Sequence, residues 1–510
     1  MSQLKKILRN VISNWANLIV SLVISFFLAP FILNKIGNVY FGVWVLVTQI
    51  TGYLWLLDFG VRESVIKYVA EYNEKKDNKL LGDIIESALR MYALVCFICI
   101  AVSLCLALLL PVIFSISHDV IPTARLVVII SGIDIALAFV FNIFVGILMG
   151  MQRYDLFSTV SIGISIIRAI LTVAFLSQGY GIVALALIQL FLNVCTNVII
   201  YFAARRSLTF RLNVRHVEKR RWIYKMLFNY GFFVLLNNVC YMVCLHGATL
   251  IIAIFLPVSA VTFYAIAANL IEYMKKIIFA GTQVFNPLTS QLDARNETDK
   301  ITTLLIQGTK FSLLLGLPVA TVYFIMGRQF IGLWMGAEYS DIAGQVLAVL
   351  TVMTLFSLPH YTVISILLGL NKHKITAYCR LIEAVANIGL SVLLIKQFGI
   401  IGVAYGAAVP HVIMVIFVFP VIISRIVGIT LSEYVRNAYF GPLFAGVPFA
   451  VACYFASFNY TSHSLLAFFS EVIVLLPIYM IGVWFVAFTR KERNFCKERL
   501  FAMVPVTLGR

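Results

Sequence analysis

Long apolar runs separated by short polar or basic joins set the rhythm of this chain from Val11 to the 480s. A spanning helix needs about 20 apolar residues, and the runs here reach that length repeatedly. They predict fourteen spans: 11–33, 41–61, 90–113, 124–149, 156–177, 180–204, 229–255, 259–284, 304–326, 342–369, 376–396, 399–424, 438–458 and 464–489. The runs are unbroken, unlike the alternating segments of about ten residues in a membrane β-barrel. Joins such as Ser177–Tyr180 and Gln397–Phe398 are so short that their neighbours must be antiparallel hairpins. The first run, Val11–Leu33, is too long for a signal-peptide core and no A-x-A-like site follows it, so it counts as a span. The fold class is an all-α polytopic membrane protein.

Periodicity on a larger scale divides the spans. Gly146–Arg153 matches Ser365–Lys372, Tyr180–Ala184 matches Phe398–Gly402, and Tyr40–Trp44 matches Phe263–Ala267. The three matches come in order at offsets of about 220 residues, which is the mark of an internal repeat. The chain therefore reads as a six-helix bundle over 1–210, a basic linker at 211–228, a second six-helix bundle over 229–424, and an appended helix pair with a basic tail over 425–510. Parallel repeats of this kind flank a central substrate site and alternate its access.

Composition then excludes the soluble alternatives. Of 510 residues, 62% are hydrophobic and only 12% charged, against about 25% charged in ordinary soluble domains. The net charge of +17 could suggest a nucleic-acid partner, but its distribution argues otherwise. Of the 39 Lys and Arg residues, 31 fall in one set of alternate loops, and only Lys35, Arg125, Arg328 and Lys396 in the other. This bias puts both termini in the cytoplasm and makes the span count even. The surplus suits anionic membrane lipids, and no nucleic acid is expected. Outward loops are short, leaving no room for an external catalytic domain. There is no G-x-x-x-x-G-K-[ST] loop to hold ATP. Neither an enzyme nor a bound cofactor is expected. The nine cysteines lie almost entirely in apolar runs, and Cys96-x-x-Cys99 lacks nearby metal-ligand partners.

Charged residues inside spans carry the candidate chemistry, because each costs at least about 2.5–3.5 kcal/mol there without a partner or a wet cavity. Glu272, Lys275 and Lys276 share the eighth span at helical spacing, so one carboxylate faces two cations. Arg168 lies midway along the fifth span, where its fork suits phosphate oxygens, with Asp134 on the fourth as its natural partner. Arg380 and Glu383 occupy roughly the corresponding region of the eleventh. Lys275, Lys276, Arg168 and Arg380 are thus the candidate anion-binding cations. Glu272, Asp134, His246 and Asp58 are the candidate ion-coupling groups, and each has a structural alternative. Asp58 and Glu63 could equally cap a helix or neutralise Arg62. His246, His360 and His411 could be hydrogen-bonded packing residues. Glu471, in the appended pair, reads as structural. Tyr241, Tyr264 and Tyr273 could stack on sugar rings, and Gly146/Gly150 and Gly402/Gly406 read as close helix contacts.

The segments Leu33–Gly42, Leu57–Val61 leading into Lys67–Glu71, and Gly150–Tyr154, with the Leu18–Phe31 span before them, resemble the MOP exporter superfamily. The resemblance is strongest to its Wzx-type polysaccharide flippases and covers essentially the whole chain. It implies a V-shaped pair of six-helix bundles around a cationic, aromatic cavity. It also implies a substrate, a polyprenyl-pyrophosphate-linked oligosaccharide, moved across the bacterial inner membrane for O-antigen, capsule or exopolysaccharide assembly. A glycan polymerase and chain-length proteins are the implied protein partners. The cation and drug exporters of the same superfamily are the rival; they often carry an acid on the first helix, where this chain has Ser13, Asn14, Trp15 and Asn17. Lipid II flippases resemble the architecture but place arginines in the first two helices, whereas Arg9 precedes the first span here and Arg62 follows the second.

Overall fold

The computed structural model describes residues 3–151, 153–207, 239–240, 242–244, 246–459, 462–490 and 492–494. The expected linker at 211–228, the first ten residues of the seventh span (229–238), Tyr241 and the tail beyond Asn494 lie outside them, as does the side chain of Glu63. All regular structure among the described residues is helical. The chain forms two compact units, Met1–Ala265 and Ile266–Arg510.

The first unit holds α1 (Gln3–Gly52), α2 (Val61–Glu74), α3 (Asn78–Ile113), α4 (Ile121–Gly150), α5 (Tyr154–Ser177), α6 (Ile182–Ser207), the short apolar α7 (His246–Phe255) and the start of α8 (Ser259–Thr282). The second continues α8 and adds α9 (Phe285–Ala294), α10 (Thr298–Trp334), α11 (Ser340–Gly369) and α12 (His373–Ile413). After them come α13 (Phe419–Val427), α14 (Leu431–Ala438) and the final pair, α15 (Phe440–Asn459) and α16 (Leu465–Gly482). Ten segments among the described residues are long and apolar enough to cross a membrane. Two of them, Ser13–Asp58 and Lys374–Val427, each contain two of the expected spans. The ten thus cover twelve of the expected spans, and α7 and the charge-interrupted α8 lie where the other two were expected.

The doubled segments bend at glycine. Gly37 in α1 has φ 80° and Gly399 in α12 has φ 58°, a region that a side chain disfavours. At Gly399 the two arms of α12 meet as the expected hairpin, so that Gly406 on the second arm faces Ser391 on the first. Several helices start earlier than hydropathy alone suggests. α3 begins at Asn78, well before the apolar run, because Asp77 caps it through Leu80 N at 3.0 Å and its first turns bury Leu81, Ile84 and Ile85.

The two units repeat the same plan. In the first, amphipathic α2 buries Val61, Val65 and Val69 against α3 and α4, with Tyr92 and Phe139 at the centre of the core. A Cβ at Gly150 on α4 would meet the Val69 side chain and Ile66 O of α2. A Cβ at Gly369 on α11 would meet the Thr289 side chain and Asn286 O of α9. The same two positions of the short helix thus touch the same glycine of the long one in both halves, in the register read from sequence. In the second unit α13 and α14 extend the core with Phe419, Ile423 and Tyr434, and Tyr434 OH shares a 2.9 Å hydrogen bond with Thr309 on α10. Large apolar side chains such as Phe97, Val112 and Leu466 point outward, as lipid-facing residues do.

Beyond α16 the chain returns to α10. Lys310 Nζ, buried in α10, donates to both oxygens of Glu492 at 3.0 and 2.7 Å, and Thr489 donates to Oε2 from its N–H and hydroxyl. Partial burial raises the Glu492 carboxyl, but the hydrogen bonds from Lys310 and Thr489 outweigh it and hold the group below the ordinary carboxylate value.

Two outcomes follow from this packing. Gly406→Val should lower thermal stability by about 1–3 kcal/mol, because the new Cβ would lie 2.5 Å from Ser391 Cα and backbone cannot swing aside. Gly389→Ala, with open space around it, should be neutral; thermal unfolding in detergent compares the two. Because the Glu492 carboxyl is depressed, its contribution is complete above the ordinary carboxylate range and is lost as pH falls through the lowered value. Amide hydrogen exchange over 488–494 in nanodiscs should therefore stay slow at neutral pH and rise in strong acid. Glu492→Gln should raise it at neutral pH by about tenfold or more, the scale of one charged hydrogen bond.

Candidate functional site

Three helices of the first unit hold a buried polar relay. Asp134 on α4 accepts from Asn193 Nδ2 on α6 at 3.0 and 2.8 Å and from Gln189 Nε2 at 3.2 Å. Arg168 on α5 reaches the other end of the same amide, donating from Nη2 to Asn193 Oδ1 at 2.8 Å. The expected Asp134–Arg168 partnership exists, then, through an intermediary. A side-chain amide suits that place because it donates at one end and accepts at the other.

The acid end of the relay opens on a small cavity. Thr48, Thr51, Gly52, Trp55, Asp134 and Asn193, among others, line this half-open pocket of about 140 Å³. This is room for several waters or a small cation. His246 on α7 approaches the same wall: its Nε2 would lie 3.7 Å from a Cβ on Gly52, and its ring stands edge-on to Tyr53 at 5.9 Å. Asp134 and Arg168, expected as partners, therefore share one neighbourhood with His246, which was expected on its own. Asp58 does not join them; it accepts a short hydrogen bond from Tyr92 OH inside the unit's core. On the first helix, Asn14 accepts from Ser158 on α5 at 2.9 Å, a packing contact.

The second unit gathers a different set. Glu272 pairs with Lys275 at 3.1 Å on α8, leaving the Lys276 side chain exposed one position on. Arg380 lies one turn before Glu383 on α12, and both Arg380 and Lys275 are within electrostatic reach of the Glu383 carboxylate. Glu383 itself bonds His411 Nδ1 on the second arm at 2.7 Å, and His411 Nε2 contacts Ser357 Oγ on α11 at 2.6 Å. His360, one turn along α11 from Ser357, presents its ring edge-on to His411 at 6.1 Å. Glu471 accepts from Ser462 at 2.7 Å in the appended pair, apart from this cluster. Among the described residues no three His, Cys, Asp or Glu side chains converge as metal ligands.

Sequence reading weighed Glu383 and His411 singly and missed their pairing, along with the bridging roles of Asn193, Gln189 and Ser357. One signal was available. The register that sets Gly181 on Gly399 also sets Asn193 on His411, so the two bridging side chains occupy equivalent places in the repeat.

Two repeated helical units, each with a buried charge network across its long helices, define a polytopic helical membrane protein. The family can be named as well: residues 38–344 match the model of the polysaccharide biosynthesis protein family, and the chain belongs to it. It is 27% identical over 184 residues to the probable low-salt glycan biosynthesis flippase Agl15 of Haloferax volcanii, an alignment covering 36% of this chain and 39% of that relative. Among solved structures it is similar to the lipid II flippase MurJ in an inward closed conformation, with a TM-score of 0.71, 14% identity and coverage of 96% of this chain and 99% of that one. A multidrug resistance MATE family transporter in an inward-facing conformation gives a TM-score of 0.69 at 14% identity, covering 82% and 96% of the two chains. The fold is that of the MOP superfamily.

The relay makes Asn193 the test of the first site. Asn193→Leu should strand Asp134 and Arg168 together and cost at least about 1.5–3 kcal/mol, the worth of hydrogen bonds to charged groups. Asn193→Gln, which keeps an amide, should recover part of it. Thermal unfolding of both variants in the same detergent gives the comparison.

Proposed function

We propose that this protein is a flippase that carries polyprenyl-pyrophosphate-linked oligosaccharide repeat units from the cytoplasmic to the outer leaflet of a bacterial inner membrane. The two repeated units would alternate access to the headgroup while the polyprenyl chain stays in lipid. Both termini would face the cytoplasm, as the distribution of basic loops suggests. The observation that carries this reading is the set of cations within the spans: Lys275, Lys276 and Arg380 in one unit and Arg168 in the other. A pyrophosphate cannot enter hydrocarbon unpaired, and cations positioned in the protein would replace its hydration. Membership of the polysaccharide biosynthesis family and the glycan biosynthesis flippase name of the Haloferax volcanii relative support the same substrate class. The product would feed O-antigen, capsule or exopolysaccharide assembly by a glycan polymerase and chain-length proteins.

The chain has no ATP-binding loop, so the driving force would come from an ion gradient, the membrane potential or removal of product outside. Asp134 with His246, beside the small polar pocket, and Glu272 beside Lys275 are the groups best placed for coupling.

In a strain lacking this protein, extracted polyprenyl-linked lipids should carry single, unpolymerised repeat units facing the cytoplasm, and the surface polymer should be missing. Replacing Lys275, Lys276 and Arg380 by Gln should each reduce the restored polymer about tenfold or more, since a charge-assisted contact is worth about 1.5–3 kcal/mol. Normal lipid intermediates together with altered resistance to toxic cations would overturn this reading in favour of a cation exporter.

A further inference from the structure

An open-sided groove of about 780 Å³ runs between α10, α11 and the second arm of α12, and no candidate coupling or anion-binding residue lines it. Helical spacing builds its walls: Val349 and Val352 on α11, Tyr405, Val409 and Ile413 on the arm, and Phe324 on α10. From Ile401 to Ile413 the wall measures about 18 Å at about 1.5 Å per residue, a little over half of a hydrocarbon core of about 30 Å. Phe324, Val352, Val409 and Ile413 stay exposed along it. Another face of α10 is covered by α16, where Phe330 meets Phe468 at 5.2 Å. The groove has the depth of one leaflet and the lining of a slot for a hydrocarbon chain.

The mouth of the groove is polar and carries both signs of charge. Arg328 and Gln345 line it, and Tyr405 stands there edge-on to Phe398 at 6.5 Å, as aromatics do at headgroup depth. Arg328 is one of only four cations in the nearly bare set of loops, so topology makes no demand for it. Its stem lies across Gly344 of α11, where a Cβ would come within 2.5 Å of Arg328 Cγ and 3.2 Å of its Cα. The guanidinium reaches Asp341 Oδ1 only at 3.6 Å, too long for a hydrogen bond. The two side chains are 63% and 71% exposed, so the pair contributes little and the Arg328 fork keeps donors for another acceptor. Gln345 Nε2 donates to the same Oδ1 at 3.1 Å. Neither contact uses Asp341 Oδ2.

We propose that this groove binds one phospholipid whose head carries both a phosphate and a primary ammonium, namely phosphatidylethanolamine. One acyl chain lies in the groove, the phosphate accepts from Arg328, and the ammonium donates to Asp341. A cation alone at the mouth would suit any anionic lipid. The carboxylate beside it instead repels a second negative charge and attracts an ammonium. A choline head has no N–H to give Asp341, and a glycerol head has no cation to set against it. That the lipid belongs to the outer leaflet rests on the orientation proposed above; the site itself does not.

The test uses the purified full chain in detergent, stripped of lipid and titrated with phosphatidylethanolamine, phosphatidylcholine or phosphatidylglycerol of identical acyl chains. Native mass spectrometry counts the lipid retained. The wild type should keep one phosphatidylethanolamine about tenfold more tightly than either of the others, the scale of one charged hydrogen bond. Asp341→Asn should bring it down to the phosphatidylcholine level, and Arg328→Gln should weaken both. Val352→Trp should remove the bound lipid whatever its head, while Val474→Trp, on the exposed surface of α16, should not. Because Arg328 and Asp341 are exposed, head selectivity remains a readout if the Val352 variant fails to fold. Equal retention of the three lipids, or unchanged selectivity in both head variants, would overturn the site. So would tightest binding of phosphatidylglycerol. Displacement by an equal concentration of polyprenyl phosphate would also overturn it and give the groove to a carrier lipid. Flipping of a lipid-linked oligosaccharide by the reconstituted protein is measured separately; absence of flipping beside a normal lipid count would sink the flippase reading and leave this site standing.

Discussion

An ionised side chain in hydrocarbon must be paired, hydrated or neutralised, and the interior of this protein is arranged around that requirement. Asp134 and Arg168 do not touch, yet neither is left alone, because Asn193 offers an acceptor to one and donors to the other. Glu383 is held by an imidazole from across its own hairpin. Lys310 is met by a carboxylate from the segment after α16. In each case the partner comes from a different helix or arm, so satisfying the charge also fixes how the long helices lie against one another.

Between these points the packing relies on small residues and on helix breaks. Lipid supplies little hydrophobic drive for one apolar helix to prefer another, so close backbone approach and van der Waals contact decide the neighbours. Gly150 against α2 and Gly369 against α9 show the same solution used twice, in the register of the repeat. The water-facing helices obey different rules. α2 has a polar face and a buried one, and its valines gain from leaving water in the ordinary way.

Much of this was legible in the sequence because membrane spans announce themselves by length and the repeat by spacing. Twelve of the spans, the hairpin at Gln397–Phe398 and the tight contacts at Gly150 and Gly406 all rest on local features. What hydropathy missed were interactions that depend on depth and rotation about a helix axis. Glu272 was expected to choose between two lysines, and helix rotation gives it Lys275. The partner of Lys310 lies 182 residues away in the segment after α16, where no local pattern announces it. Asn193 drew no notice since an uncharged amide in a span is cheap enough to pass as packing. His411 gained meaning only when the repeat was read at the level of single positions.

The Lys310–Glu492 pair also imposes an order on biogenesis. Ribosomes deliver α10 to the membrane long before Glu492 exists, so that helix must be inserted with an ammonium group whose counter-ion has yet to be made. Until the segment after α16 emerges, the nascent unit carries an open charge that water or a lipid phosphate has to cover. Completion of translation is therefore a structural event for a helix laid down 182 residues earlier, and a chain stopped short of Glu492 would expose the same defect to the cell's membrane proteases.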